Sequence, residues 1–362
     1  MKRGERNAGR LPAPAFCLAT AFSLIAISVG GRTAVFAQSN TSQKHSAAAQ
    51  ESQDVEEGDV ISFRTAEVLL PVTVRDRDGK LVSTLTRNDF RIFEDGREQR
   101  LRDLALRETP VDVVLMVDSS SSVSGNLDDF RRAALGFAEK LSVEDRISLI
   151  KFDDRIELLQ DWTRSRLQLR RSLDRVTPGM FTRFNDALLL AAKDQLKGGR
   201  VRHAVIALTD GIDSERGYAT LPMALSALLE AQAIVYIVSN TEIERQSKQA
   251  ELDSLLAGTK AVRSFNSLRV DDLREGLRVL DESETRLAQL ATATGGRLYK
   301  PNSFADLDST YAEVADELRH QYTLYYSPSD KTRDGRFRRV RVETTDKSLK
   351  ASSRIGYFAP GK

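Results

Sequence analysis

Apolar runs of strand length alternate with helix-patterned stretches between residues 111 and 327 of this chain. A strand, a helix and another strand in succession favour parallel pairing, with helices covering both faces of the sheet. The pattern therefore predicts an α/β fold built on a doubly wound, mostly parallel sheet. The predicted strands cover 111–117, 147–152, 203–208, 233–238 and 297–299, and the predicted helices cover 128–141, 186–196, 222–229 and 304–322.

Two further helical patterns, 241–259 and 270–280, occupy a place where one short connection would suffice. We interpret residues 241–282 as an insertion near the edge of the sheet. The whole α/β domain is predicted to span residues 108–327.

Short β-type runs flank this domain on both sides, in residues 59–107 and 328–362. Asp-Gly pairs such as Asp95-Gly96 separate several of these runs, as expected for tight turns that need a positive φ. We expect the two flanks to join into one small β-sandwich into which the α/β domain is inserted. Within the second flank, the apolar parity shifts between Phe337 and Val340, so Arg338 and Arg339 are predicted to form a bulge and are interpreted as a solvated strand face.

The first 37 residues have the pattern of a secretory signal peptide, with basic residues, an apolar stretch and a small-residue cleavage site. An uncleaved membrane anchor is the alternative. Residues 38–58 are polar and predict a disordered linker. We therefore expect a secreted or periplasmic protein. Removing residues 1–37 takes away five basic residues and one acidic residue, so no excess of positive charge remains to favour nucleic acid.

Acidic and hydroxyl residues follow two of the predicted strands and precede one helix. Asp118, Ser120 and Ser122 come after the first strand, Thr182 lies before the helix at 186, and Asp210 follows a later apolar strand. Open α/β sheets place their sites at the carboxyl ends of strands. Hydroxyls and carboxylates suit a hard cation, and we expect Mg²⁺, or Mn²⁺ or Ca²⁺ in its place. The same residue types also cap helices and form turns, so a fold that has lost cation binding is the alternative.

The three segments resemble the metal-ion-dependent adhesion site (MIDAS) of von Willebrand factor type A (VWA) domains. They read Asp-x-Ser-x-Ser, a threonine before Asp-Ala-Leu, and Thr-Asp-Gly, in the order of that family, and the resemblance covers about residues 110–325. It implies a Rossmann-like VWA fold, with the metal held by Asp118, Ser120, Ser122, Thr182 and Asp210. The flanks further resemble secreted bacterial VWFA-related proteins common in Acidobacteria.

In that family, the open position on the cation accepts an Asp or Glu carboxylate from a partner protein. The resemblance thus implies an exported, divalent-cation-dependent protein-binding module for adhesion or scaffolding, in an envelope-associated complex. The alternative is a structural envelope or complex-assembly protein in which the metal only stabilises the loops. The bulky Phe181 departs from the family pattern, and it either crowds the metal or forms part of a ligand-facing rim.

An enzyme is not expected, nor is a small-molecule substrate. A serine hydrolase would need a Gly-x-Ser-x-Gly elbow and a histidine base, and the sequence has no such elbow. The three histidines, His45, His203 and His320, are interpreted as structural or exposed. A phosphotransfer site using Asp118 as nucleophile would lack its general acid, because Ser120 stands two residues on.

Overall fold

The computed structural model describes residues 67–106, 110–120, 124–197, 201–214 and 216–361. All of these residues belong to one compact unit, Ser62–Lys362. The predicted signal peptide, the predicted linker and Ser122 lie outside the described residues.

The strands fall into three groups along the chain. Four precede the α/β region: β1 (Val68–Arg75), β2 (Phe90–Glu94), β3 (Arg97–Gln99) and β4 (Leu101–Leu106). Six belong to the α/β region: β5 (Val111–Asp118), β6 (Arg146–Phe152), β7 (Ile156–Thr163), β8 (Arg202–Leu208), β9 (Ala233–Val238) and β10 (Leu298–Tyr299). Four strands follow, namely β11 (Tyr322–Tyr326), β12 (Phe337–Thr344), β13 (Lys350–Ser352) and β14 (Gly356–Phe358).

The helices lie between the strands of the second group. They are α1 (Leu127–Lys140), α2 (Arg166–Leu173), α3 (Phe184–Leu190, continued as a π-helical turn over Ala191–Gln195), α4 (Leu221–Glu230), α5 (Thr241–Ala257), α6 (Lys260–Phe265), α7 (Ser267–Thr294) and α8 (Leu307–Arg319). In the described ranges, none of these helices has both the length and the apolar composition needed to cross a membrane.

The six central strands form one sheet in the order β10-β9-β8-β5-β6-β7. All pairings are parallel except that of β7 with β6. In β5, Val113 and Leu115 pack into the apolar cluster under α1 and α8, whereas Val114 and Met116 pack into the cluster under α3, α4 and α7. A strand buried on both faces needs a continuous apolar run, which is what the sequence provides. The predicted doubly wound α/β fold is confirmed.

The flanking segments form two four-stranded sheets, β13-β1-β11-β4 and β14-β12-β2-β3. Each sheet combines strands from before and after the α/β region: Val68 of β1 pairs with Tyr326 of β11, and Ile92 of β2 pairs with Val342 of β12. Strand β11 lies within the range 108–327 expected for the α/β domain, but it pairs in the sandwich. Apolar residues of both sheets share one buried cluster. The predicted small β-sandwich, with the α/β region inserted between its strands, is therefore present.

Two elements of the α/β region are not predicted by sequence periodicity. Strand β7 is an edge strand with exposed residues and shifts of register against β6, so its apolar alternation is weak. Helix α2 buries only Leu169, Ser172 and Leu173. Helix α7 is also longer than predicted and continues through residue 282, because its second half packs Leu287 and Leu290 against the sheet.

The interpretation of Arg338 as a solvated residue is wrong. The predicted bulge is also absent from the described strand β12, whose buried and more exposed residues alternate without interruption, and Arg338 lies in the buried row with Val340 and Val342. Its guanidinium forms an ion pair with the buried Glu94 at 3.4 Å. Arg339 is exposed, as expected.

Candidate metal centre

Asp118 ends the central strand β5, and its side chain is completely buried. One carboxylate oxygen, Oδ1, accepts a hydrogen bond from the backbone N–H of Ser120 at 2.9 Å. The other, Oδ2, accepts a hydrogen bond from the Thr209 hydroxyl at 2.7 Å. The first contact is a local turn of the kind that aspartate favours. The second joins the end of β5 to the residue that follows β8.

Asp210 follows the neighbouring strand β8, and parallel pairing brings the carboxyl ends of the two strands to the same edge of the sheet. Its Oδ1 accepts a hydrogen bond from the N–H of Ile212 at 2.9 Å, and its backbone carbonyl accepts one from Ser283 at 2.6 Å. Gly211 has a φ of +68°, and a β-carbon there would lie 2.5 Å from the Leu287 side chain. Glycine is therefore required for the sharp turn after Asp210.

The two carboxylates influence each other. Burial of Asp118, together with the negative charge of Asp210, raises the pKa of Asp118 to about 7, against the opposing hydrogen bonds from Ser120 and Thr209. A divalent cation between two buried carboxylates would offset both the burial and the repulsion. Carboxylate and hydroxyl oxygens are also the donors that hard cations prefer. On both counts the residues fit a bound Mg²⁺, Mn²⁺ or Ca²⁺.

Thr182 lies in the loop before α3 and is buried. Its backbone N–H donates to the Ser214 hydroxyl at 3.0 Å, and its carbonyl accepts from the Ser214 hydroxyl at 2.5 Å and from the Ser214 N–H at 2.9 Å. Ser214 comes four residues after Asp210. The threonine loop is therefore fixed to the loop that carries the second carboxylate.

In the structure Asp118 and Ser120 are hydrogen-bonded, Asp210 at the adjoining strand end is close enough for its charge to raise the pKa of Asp118, and the Thr182 loop is bonded to the segment after Asp210. Ser122 lies outside the described residues. No group of three or more His, Cys, Asp or Glu side chains that could hold a metal is found among the residues with described positions. A cation at these strand ends would be held by two carboxylates with hydroxyl oxygens.

Sequence reasoning missed a second network around Ser119. The Ser119 hydroxyl donates to Asp153 Oδ2 at 2.8 Å, and the ammonium of Lys151 lies 2.5 Å from the same oxygen. Burial alone would raise the pKa of Asp153, but hydrogen bonds from Lys151, Arg155 and Ser119 outweigh it, and its pKa lies below the usual range. Asp153 directly follows the apolar strand β6, so the strand-end rule that identified Asp118 and Asp210 could have identified it as well.

Gly179 connects this network to the threonine loop. Its N–H donates to the Ser119 carbonyl at 2.7 Å. A β-carbon on Gly179 would lie 2.4 Å from Asp153 Cγ, which is far inside van der Waals contact. The loop can approach residues 118–120 this closely only because position 179 has no side chain.

Phe181, predicted as a rim residue, is half-buried in the same loop. The guanidinium carbon of Arg216 lies 3.5 Å from the centre of its ring. An arginine at this distance is stacked on the aromatic face.

Residues 113–212, which contain the strand ends of Asp118 and Asp210, match the family model described as von Willebrand factor type A domain. The chain is also similar to the Uncharacterized protein sll0103 of Synechocystis sp., with 31% identity over 116 residues. That match covers 31% of this chain and 27% of the relative, so the chain spans about a quarter of the relative's length.

Several solved structures are similar to part of this chain. Proximal thread matrix protein 1 from the mussel byssus is 16% identical, with 61% of this chain and 49% of that chain covered and a TM-score of 0.44. A structure of the same protein with a zinc occupied MIDAS motif is 16% identical, with 61% and 48% covered and a TM-score of 0.43. A von Willebrand factor type A structure from Catenulispora acidiphila is 11% identical, with 76% and 74% covered and a TM-score of 0.44.

Proposed function

We propose that this chain is an exported, divalent-cation-dependent protein-binding module that serves adhesion or scaffolding. The observation that carries the proposal is the pair of buried carboxylates, Asp118 and Asp210, at the adjoining ends of two parallel strands. Two like charges buried together disfavour ionisation unless a cation accompanies them. VWA domains typically mediate protein interactions, and a cation at this edge would make such an interaction metal-dependent.

The residues proposed to hold the cation are Asp118, Ser120, Ser122, Thr182 and Asp210. Mg²⁺ takes about six oxygen ligands in octahedral geometry, and Mn²⁺ or Ca²⁺ could replace it with the same donors. With five protein ligands or fewer, at least one coordination position of the cation stays open for water or for a ligand from another molecule. The chemistry that the cation supplies is the capture of an Asp or Glu carboxylate from a partner protein. No catalytic step, nucleic acid or small-molecule substrate enters this proposal.

Export is proposed from residues 1–37, whose basic and apolar pattern is that of a signal peptide. The polar residues 38–58 would then separate the folded domain from the envelope or from other parts of a complex. The expected location is periplasmic or secreted, and the expected partner is an envelope protein.

A structural role for the cation is the second candidate. It is favoured by the number of hydrogen bonds that already join the loops around Asp118, including those of Ser119 with Asp153 and Gly179. A cation added to such a network would strengthen it without any partner. In that case the metal would raise the melting temperature and leave protein binding unchanged.

The test compares the full chain with Asp118→Asn, which removes the charge and keeps the shape. The matched control is Asp78→Asn, because Asp78 is an exposed residue in a turn of the β-sandwich. Both the Mg²⁺-induced rise in melting temperature and the proteins retained from envelope extracts are measured with Mg²⁺, with EDTA, and with Mg²⁺ restored after EDTA.

The proposal predicts that the melting rise and specific partner retention both require Mg²⁺, and that Asp118→Asn loses both while Asp78→Asn keeps both. A melting rise with identical partners in all conditions would support the structural role instead. Both measurements are repeated with Mn²⁺ and with Ca²⁺ in place of Mg²⁺, and no response to any of the three ions would refute cation binding.

A further inference from the structure

Four residues beside the candidate metal centre form a rim, in which Phe181 is half-buried and the other three are exposed: Met180, Phe181, Arg216 and Tyr218. They come from two loops, one before α3 and one before α4. Met180 is 74% exposed and Tyr218 is 72% exposed. Large apolar side chains held in water beside a polar site are typical of interaction surfaces.

The two loops of the rim are joined by hydrogen bonds. Besides the contacts between Thr182 and Ser214, the carboxylate of Asp186 accepts hydrogen bonds from the N–H groups of Tyr218 at 3.2 Å and Ala219 at 2.8 Å. A β-carbon on Gly217 would lie 1.9 Å from Asp186 Oδ2. The rim is therefore held in place relative to Thr182. A ligand that binds the rim does not have to pay the entropy cost of ordering these loops.

Arg216 provides the charge of the rim. One face of its guanidinium is stacked on Phe181, and the residue as a whole is exposed. Stacking leaves the N–H donors, which lie in the plane of the group, directed away from the ring. Arg216 has no ion pair with a carboxylate in the part of the chain that the structure describes. A stacked arginine of this kind is suited to bind a carboxylate through two parallel hydrogen bonds.

We propose that the rim selects a partner segment that carries two acidic residues on either side of an apolar one. This inference rests on the proposed function: one carboxylate of the segment binds the cation, and the second binds Arg216. The apolar residue between them contacts Met180 and Tyr218. Charge complementarity supports this occupant, because Arg216 is exposed and positively charged and a bound cation would add a second positive centre for an extended acidic segment.

Synthetic peptides test the proposal without knowledge of the natural partner. The reference peptide is Gly-Gly-Asp-Leu-Asp-Gly-Gly, blocked at both ends. In three relatives, Asn replaces the first Asp, Asn replaces the second Asp, or Gly replaces Leu. Binding of each peptide to the full chain is measured by isothermal titration calorimetry in saturating Mg²⁺ and in EDTA.

The variants are Arg216→Gln, Arg216→Lys and Asp118→Asn, with Arg333→Gln as the matched control at an exposed arginine of the sandwich. We expect the diacid peptide to bind the unaltered chain about tenfold more tightly than either peptide with one Asp, as expected for one charge-assisted hydrogen-bonded pair. Arg216→Gln should abolish that difference. Arg216→Lys should restore only part of it, because lysine lacks the planar pair of donors.

The possible failures are distinct. If Arg216→Gln binds the diacid peptide as tightly as the unaltered chain, while Asp118→Asn and EDTA abolish binding, the role of Arg216 is refuted and the proposed function stands. If binding survives both EDTA and Asp118→Asn, the proposed function itself fails. If Mg²⁺ raises the melting temperature but no peptide binds, the acidic segment is refuted as the ligand. Unchanged Mg²⁺ binding by Arg216→Gln verifies that this variant is folded.

Discussion

The hydroxyl of Thr209 donates a 2.7 Å hydrogen bond to Asp118 Oδ2 and accepts one from the N–H of Gly211 at 2.9 Å. It therefore holds the carboxylate at the end of β5 and, at the same time, the turn that follows Asp210. Thr209 and Asp118 are both completely buried, so water cannot replace the hydroxyl beside the carboxylate without rearrangement. Thr209 thus orients one proposed ligand and shapes the loop of the other.

Replacing Thr209 by valine, which has nearly the same shape, should destabilise the cation-free chain by about 1–3 kcal/mol, since a buried carboxylate loses a donor. Thr209→Ser should cost less because it keeps the hydroxyl. Urea unfolding in EDTA measures the difference. Equal free energies of unfolding for the valine and serine variants would contradict the role assigned to this hydrogen bond.

The raised pKa of Asp118 predicts a pH dependence. Its pKa is about 7 in the folded chain and near 3.8 when the residue is not perturbed. Between these values the folded chain binds a proton that the unfolded chain has lost, so this residue lowers stability as pH rises through that window. A cation needs the ionised carboxylate and therefore competes with the proton.

We accordingly expect Mg²⁺ to raise the melting temperature more at pH 8 than at pH 5.5. Differential scanning fluorimetry at a fixed Mg²⁺ concentration measures both shifts. In Asp118→Asn, the increase from pH 5.5 to pH 8 should disappear. Equal shifts at the two pH values in the unaltered chain would show that Asp118 does not exchange a proton for the cation.

Alanine should have opposite effects on the free energy of unfolding at Gly179, which is in close contact with Asp153, and at Gly136, which faces open space. Gly179→Ala places a β-carbon against Asp153 and should destabilise the chain by about 1–3 kcal/mol through overpacking. Gly136→Ala, in α1, meets open space and should stabilise the chain by about 0.5–1 kcal/mol through helix propensity. Chemical denaturation of both variants gives the signs, and a neutral Gly179→Ala would mean that the loop moves away without cost.

The sequence predicts the strand ends well and the contacts between loops poorly. Asp118 and Asp210 follow long apolar runs, so their positions at one sheet edge could be inferred from local pattern and the geometry of parallel strands. Ser119 and Gly179 act through hydrogen bonds and close approach between segments that meet only in the folded chain. No local sequence pattern predicts contacts between segments that are distant in the chain.

The sandwich provides a second case. Arg338 looked solvated because charged residues on a strand usually face water, yet it is buried against Glu94, which lies 244 residues earlier in the chain. The apolar parity shifts between Phe337 and Val340, which predicts a bulge, whereas the structure alternates without one because Arg338 takes a buried position beside a partner that makes burial of its charge tolerable. The edge strand β7 escaped prediction for a related reason, since pairing with β6, rather than an apolar face of its own, defines it.

The last prediction concerns Glu94, a buried residue of the β-sandwich. Its Oε2 accepts hydrogen bonds from the hydroxyls of Tyr326 at 2.8 Å and Tyr357 at 2.9 Å, and its Oε1 lies 3.4 Å from Arg338. Glu94→Gln keeps the shape but leaves the guanidinium without its buried counter-charge, which should cost about 2–4 kcal/mol.

Adding Arg338→Met to Glu94→Gln should recover part of that loss, because the two residues are in contact and their effects should not add. Urea unfolding of the two single variants and the double variant gives the coupling free energy. The rise in melting temperature caused by Mg²⁺ should persist in all three, since these residues belong to the sandwich and not to the strand ends that carry Asp118 and Asp210. Strict additivity would show that the ion pair contributes nothing, and loss of the Mg²⁺ response would show that the sandwich and the candidate metal centre are energetically coupled.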